Sequence, residues 1–424
     1  MSEHVEAERL LDFISSSPSV YHVVANMAAG LERAGFTRLE EKERFHLEEG
    51  GRYFVTRSGS SLIAFTIPRG RICSARMIAA HTDSPTFKLK ECPEETSSGL
   101  YTTLNVETYG GFPYSSWFDR PLSLAGRVQV AKGTGVECRL VDFARPIAVI
   151  PSLAIHQNRQ VNEGQKVSVQ KECKPLLCPG ADKEGFRKLL AKELDVDKDD
   201  ILSWDLSLVN RTAGCLWGDD DAFISSPRLD DLMCAYPAYR AIMEAEDGDK
   251  LKLIALFDNE EVGSSSRQGA LSDFLSCVWD RIFASLSQGL EEKAMAEAAS
   301  LMVSADNCHA LHPNWSEKTD PTNKCVLNGG VAIKYSANQK YTTDSETASQ
   351  VRMLCRKAGI PVQVFVNNSD VTGGSTLGNL SIRHLSVPSA DVGLAQLAMH
   401  SSWETAGARD VGYITALFKA HLEA

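Results

Sequence analysis

Five short segments of this chain place imidazole or carboxylate groups where chemistry could use them. They are His81-Thr82-Asp83-Ser84-Pro85, Pro227-Arg228-Leu229-Asp230-Asp231, Asp258-Asn259-Glu260-Glu261-Val262-Gly263, Ser304-Ala305-Asp306-Asn307 and Ala398-Met399-His400. Each follows an apolar run or falls at a turn. Two histidines and three carboxylates drawn from separate segments suit a pair of Zn²⁺ or Mn²⁺ ions, which accept nitrogen and oxygen ligands. In Glu260-Glu261 an extra glutamate beside a ligand glutamate offers a general base. Asp83, two residues beyond His81, is spaced to orient a metal-bound imidazole from behind. Lone histidines and paired acids are common on ordinary surfaces and at helix N-termini. The weight therefore lies in the set, not in any member.

The elements that must carry these groups can be read from the apolar runs. Residues 77–80 precede His81, 251–257 precede Asp258, 301–305 precede Asp306, and 385–390 precede Asp391. Such short continuous runs, interleaved with helical spacing over 229–243 and 347–358, predict buried strands of a largely parallel sheet. Ligands bind beyond the carboxyl ends of strands in sheets of this kind, which is where the polar residues fall. The N-terminal segment reads as helix, with Ser17 as cap, Pro18 in the first turn and Gly35 as the stop. Residues 92–218 have a different texture: strand-like stretches at 102–109, 124–130, 137–141 and 147–150, separated by turns, and one helix near 185–194. The expected architecture is α/β, a mostly parallel sheet sandwiched by helices. Residues 1–92 and 222–424 would form the catalytic domain and 93–221 an inserted β-rich domain.

Composition excludes several function classes. The chain has 424 residues, 43% of them hydrophobic and 23% charged, the ordinary range for globular proteins. A net charge of −11 argues against nucleic acid as a partner. The 11 cysteines include no CxxC pair and fit free thiols in a reducing compartment. No stretch reaches the ~18 uninterrupted apolar residues of a membrane span. The first residues, with Glu3, Glu6, Glu8 and Arg9, are too charged for a secretory signal. The expectation is a cytoplasmic enzyme with no membrane partner.

The ordered motifs, from His81-Thr82-Asp83-Ser84-Pro85 through Leu397-Ala398-Met399-His400-Ser401, resemble those of the M18 metallo-aminopeptidases of the aspartyl aminopeptidase type. The resemblance runs from the N-terminal helices nearly to the end of the chain. It implies that His81 and Asp306 hold one ion, that Glu261 and His400 hold the other, and that Asp230 bridges them. It further implies that Glu260 is the general base and that Asp83 steadies His81. Two zinc ions per subunit are expected, with manganese or cobalt as alternatives. The family often has Asp-Asn where this chain has Asp230-Asp231, so Asp231 competes for the bridging role. His309 and His312 lie near Asp306 but fall outside the family's ligand pattern.

The resemblance also implies substrate contacts. Lys334 and Tyr341 match the pocket of enzymes that act on acidic N-terminal residues. Gly373, Gly374 and Ser375 match a glycine-rich loop lining the substrate site, and His156 matches a histidine that completes a neighbouring subunit's site. Peptides with a free N-terminus are the expected substrates, and dimers assembling into a tetrahedral dodecamer the expected oligomer. Rival readings are a broad or leucine-preferring aminopeptidase, an amidohydrolase of acylated amino acids, and a non-catalytic metal-binding scaffold. Loss of Glu260 or of a ligand would mark the last, and neither is lost.

Overall fold

The apolar runs become the middle of a nine-stranded sheet. In the computed structural model, which describes residues 4–424 apart from 165, 372, 375 and 382, its strands lie in a fixed order. That order is Thr37–Leu39, Arg52–Arg57, Ser61–Thr66, Leu251–Phe257, Ala75–His81, Leu301–Ala305, Ser389–Gly393, Val331–Tyr335 and Val362–Val366. The four strands from Leu251–Phe257 to Ser389–Gly393 run parallel, and antiparallel pairs flank them on either side. Along Ala75–His81, Ile78 and Ala80 face one core while Met77 and Ala79 face the other. Both faces are covered, so residues 77–80 form a continuous apolar run instead of alternating.

Helices Val5–Ser16, Val20–Arg33, Leu229–Glu244 and Ala408–Leu422 bury Leu10, Met27, Met233 and Phe418 against the first face. Helix Phe274–Ser285 packs Phe274, Trp279 and Phe283 on the second. The sandwich of helices around a largely parallel sheet is thus present.

A second sheet of six strands is antiparallel throughout. Its core includes Phe87, Leu124, Leu206 and, from helix Gly185–Leu194, Phe186 and Leu190. One of its strands, Thr86–Ser97, begins ahead of the boundary expected at 93. Strands Cys215–Trp217 and Phe223–Ser226 lie in a third, small sheet with Glu404–Gly407, Ala395–Leu397 and Cys308–His309. Of residues 147–150, Ala148, Val149 and Ile150 form isolated bridges, not a full strand.

Two local expectations are corrected. The N-terminal segment contains two helices, and the second starts at Val20 with Ser19, not Ser17, at its cap. Pro18 disfavours helix for the residue before it, so Ser17 ends the first helix. The strand expected over 385–390 is Ser389–Gly393. Pro388 cannot donate to the ladder, the strand starts after it, and Asp391 is therefore inside the strand, not at its end.

Candidate metal centre

The motifs meet where the central strands end. His81 is the last residue of its strand and pairs in register with Phe257, so the loop that begins at Asp258 starts beside it. Asp306 follows strand Leu301–Ala305 directly. Asp230 and Asp231 enter at the start of helix Leu229–Glu244, joined by a cis peptide bond. His400 comes from the loop after Ala395–Leu397. Arg228, Asn259, Ala398 and His400 all have positive φ without being glycine. Left-handed backbone at several non-glycine positions is a feature that clusters at functional sites.

Three overlapping groups could each hold an ion: His81 with Asp230, Asp231 and Asp306; His81 with Glu260 and Glu261; and Asp230 with Glu261 and His400. Asp230 faces both histidines with different oxygens. Its Oδ1 lies 3.5 Å from His81 Nε2, and its Oδ2 lies 3.4 Å from His400 Nε2. His81 Nε2 is also 3.9 Å from Asp306 Oδ1, and His400 Nε2 is 3.3 Å from Glu261 Oε1. These separations are too long for direct hydrogen bonds and suit donors gathered around ions. Asp230 Oδ1 and Asp231 Oδ1 are buried with no hydrogen-bond partner. A buried carboxylate oxygen without a partner is costly, and the N/O donor set fits divalent metal. Asp231 turns its Oδ2 to the backbone N–H of His81 at 3.2 Å. Among the described residues His309 and His312 join none of the metal-holding groups.

The charges agree with that fit. Burial first, then Asp306, Asp83 and Asp230, push Glu260 up to about 8. Burial and Asp230 likewise raise Glu261. So many carboxylates in one buried place must take up protons or cations.

Asp83 and groups outside the motifs hold the centre in place. Asp83 accepts from Tyr109 Oη at 2.6 Å and from the N–H groups of Glu260 and Glu261, each at 3.2 Å. Its Oδ1 is 3.4 Å from His81 Nδ1, and its backbone carbonyl lies 3.1 Å from the same nitrogen. One aspartate thus sets both the imidazole and the Glu260-Glu261 turn. Tyr109, from the second sheet, in turn accepts from Asn259 Nδ2 at 2.8 Å. Buried Glu404 accepts from the N–H of Asp230 at 3.0 Å and of His400 at 2.6 Å. Gly111 offers its carbonyl to His400 Nδ1 at 2.8 Å, which leaves Nε2 for the centre. The signal for Glu404 was an acid four residues past His400. Tyr109 and Gly111 gave none, being aligned only by folding.

The residues expected around the substrate are placed unequally. Lys334 is buried beside the centre, its Nζ donating to the carbonyls of Asp306 at 3.0 Å and Asn307 at 3.1 Å. A longer contact of 3.4 Å reaches Asp306 Oδ2. Tyr341 sits next to it, with Lys334 Nζ 4.8 Å from the ring centroid. Gly373 is in close contact: a Cβ there would lie 2.3 Å from Asn367 Nδ2, whereas Gly374 faces open space. Ser375 lies outside the described residues. Exposed His309 borders the same region, its ring centroid 6.4 Å from that of Phe365. His156 is exposed in a turn, and no described contact joins it to its own chain's centre. Asp391 is not at the centre: it accepts from Ser304, Thr342 and Thr376 and ties those segments together.

Imidazoles and carboxylates converging at the carboxyl ends of a helix-covered sheet define a metal-dependent hydrolase of the α/β class. The pattern of the Aminopeptidase I zinc metalloprotease (M18) family matches residues 13–422. A probable M18 family aminopeptidase 2 of Clostridium novyi is 43% identical over 422 residues, 97% of each chain. That of Pseudomonas aeruginosa is 42% identical over 419 residues, 97% of this chain and 96% of the relative. Among solved structures, the Ape4–Nbr1 complex matches with TM-score 0.94 and 35% identity, covering 99% of this chain and 85% of that one. The S. cerevesiae mApe1 dodecamer matches with TM-score 0.86 and 28% identity, covering 99% and 96%. The chain belongs to the M18 family and is a metallo-aminopeptidase.

Proposed function

We propose that this aminopeptidase uses two divalent ions, zinc by preference, and removes acidic residues from peptide N-termini. The observation that carries the two-ion reading is Asp230, whose separate oxygens face His81 and His400 at 3.5 and 3.4 Å. Asp306 would join His81, and Glu261 would join His400. Such a pair of ions lowers the pKa of a water and polarises the scissile carbonyl. Glu260, set beside the ligand carboxylates, is the group placed to take the water's proton and pass it to the leaving amine. Asp83 and Tyr109 keep His81 and the Glu260 turn in register for that transfer.

The acidic preference rests on Lys334, with Tyr341 beside it. Two donors of Lys334 are fixed by carbonyls; the third makes only the 3.4 Å contact with Asp306 Oδ2. That donor is the one a substrate carboxylate would take over. Metal analysis paired with hydrolysis of Asp-, Glu- and Leu-peptides, with and without chelator, tests both parts. One equivalent of metal at full activity would remove the two-ion reading; faster leucyl cleavage would remove the acidic one.

His156 is proposed to complete the site of a neighbouring subunit in a tetrahedral dodecamer built from dimers, with the second sheet as the assembly surface. Support comes from its exposure away from its own centre and from the dodecamer formed by mApe1. A cytoplasmic location is proposed because all 11 cysteines are free; no helix among the described residues is long and apolar enough to cross a membrane.

A further inference from the structure

Asp391 lies outside the metal centre, yet its buried carboxylate accepts hydrogen bonds from three separate segments. Oδ1 accepts from Ser304 Oγ at 2.8 Å and from Thr376 Oγ1 at 2.6 Å. Oδ2 accepts from the N–H of Thr342 at 2.6 Å and from its Oγ1 at 2.7 Å. The N–H of Asp391 donates to Thr343 Oγ1 at 2.8 Å. The strand itself needs no such group, since Ala390 and Val392 on either side of it are core residues. Burying a carboxylate costs far more than burying a methyl group.

The three segments differ in what else holds them. Ser304 pairs with Asp391 in the parallel ladder, so its backbone is fixed without the side chain. Thr342 and Thr376 lie in irregular stretches outside every strand and helix. Thr342 follows Tyr341, whose ring centroid is 4.8 Å from Lys334 Nζ, and Thr376 ends the loop that carries Gly373 and Gly374. The two loops converge: Asn367 Nδ2 donates to Tyr341 Oη at 3.3 Å and lies 2.3 Å from where a Cβ on Gly373 would be. Gly378, just beyond Thr376, packs so closely that a Cβ there would lie 3.0 Å from Asp391 Oδ2.

We propose that Asp391 is a positioning residue for substrate binding, anchoring the Tyr341 loop and the Gly373–Gly374 loop to the sheet. The proposal rests on the reading that Lys334, Tyr341 and these loops line the substrate site. Asp306 keeps its place without the carboxylate, because the strand before it is held by the ladder. Loss of the anchor therefore acts on substrate binding and spares the metal.

Thr342→Val and Thr376→Val each remove one hydroxyl donor and keep the side chain's shape. Each should raise KM about 10-fold for whichever Asp-, Glu- or Leu-peptide is cleaved best, with kcat within about 3-fold of the parent. Zinc affinity, read by chelator competition, should not move. Ser304→Ala gives up the same kind of bond from a residue the ladder fixes, and should leave KM within about two-fold. Asp391→Ala should raise KM further; the threonine variants decide the matter if it folds poorly. Unchanged KM in both threonine variants overturns the proposal. So does a loss of zinc affinity in step with KM, which would make Asp391 a support of the metal centre. Gly374→Phe tests the reading beneath it, since Gly374 faces open space and a ring there obstructs substrate if the loop lines the site. If KM is unmoved there too, the loops lie away from the substrate. If KM rises there but not in the threonine variants, only the anchoring role is lost.

Discussion

Tyr109→Phe removes a single oxygen, and the structure assigns that oxygen a specific task. Tyr109 Oη donates to Asp83 Oδ2 at 2.6 Å and accepts from Asn259 Nδ2 at 2.8 Å. The ring keeps its packing in phenylalanine, so no cavity of consequence opens. Asp83 loses its shortest hydrogen bond and retains the two 3.2 Å bonds from the Glu260 and Glu261 amides. A hydrogen bond to a charged group contributes about 1.5–3 kcal/mol. At about 1.4 kcal/mol per decade this corresponds to roughly 10- to 100-fold, the range also seen when groups supporting metal ligands are altered. Because Asp83 sets both His81 and the Glu260 turn, metal affinity and kcat should fall together while the far-ultraviolet spectrum stays unchanged. Competition with a graded zinc chelator reads the first, and peptide hydrolysis at saturating zinc reads the second. If both stay within two-fold of the parent, Asp83 does not act through Tyr109 and the proposed link between the sheets is refuted.

Four further outcomes follow from the same geometry. Glu260→Gln keeps shape but cannot accept a proton, so kcat should fall by ~10²-fold or more with metal content retained on elemental analysis. Asp230→Ala should abolish both metal occupancy and activity, whereas Asp231→Ala, which mainly loses a contact to the His81 amide, should be milder; the reverse ranking would move the bridge to Asp231. Lys334→Leu should lower kcat/KM for Asp and Glu peptides by ~10²-fold and spare leucyl peptides; equal losses on both would assign Lys334 to holding Asp306. His421, pushed down to about 3 by burial and by Arg76, donates to the Met77 carbonyl at 3.0 Å. Its folded value lies below its unfolded value near 6.5, so its neutral form stabilises the fold above that pH and the contribution is lost as pH falls towards 3. Denaturant titrations should show His421→Gln losing ~2 kcal/mol less than the parent between pH 7 and 5.

What the sequence displayed was the ends of buried strands. An apolar run such as Leu251–Phe257 can only be covered on both faces, and the first polar residue after it must lie at the rim of the sheet. That reasoning located His81, Asp258 and Asp306, because their strands end where their runs end. It misplaced Asp391, because the run at 385–390 is interrupted by Pro388 and the strand starts after it. Apolarity alone does not reveal a missing backbone donor. Tyr109 and Gly111, and the bond from Asp230 to Glu404, were hidden for another reason: each joins segments remote in sequence, through contacts that only packing creates. Gly111 acts through a carbonyl that every residue possesses.

The hidden residues also bear on how the site is assembled. The donors gathered around the centre come from the first sheet and its loops, yet two of the groups aiming them, Tyr109 and Gly111, come from the strand Tyr101–Tyr109 of the second sheet and the turn after it. Gly111 fixes His400 by accepting a hydrogen bond from Nδ1–H, and Tyr109 fixes His81 through Asp83. Each of the two histidines is therefore oriented across the junction of the sheets. A centre whose histidines are aimed in this way is fully oriented only once the second sheet has docked. Metal binding must then be coupled to docking of the second sheet, since ions that bind only the completed site stabilise whatever completes it. Chelation should accordingly loosen the junction first: hydrogen exchange should rise in residues 101–117 and in the loop around His400 before it rises in the parallel strands. Exchange that increases uniformly, or only around Asp230, would show that the second sheet stays docked without metal.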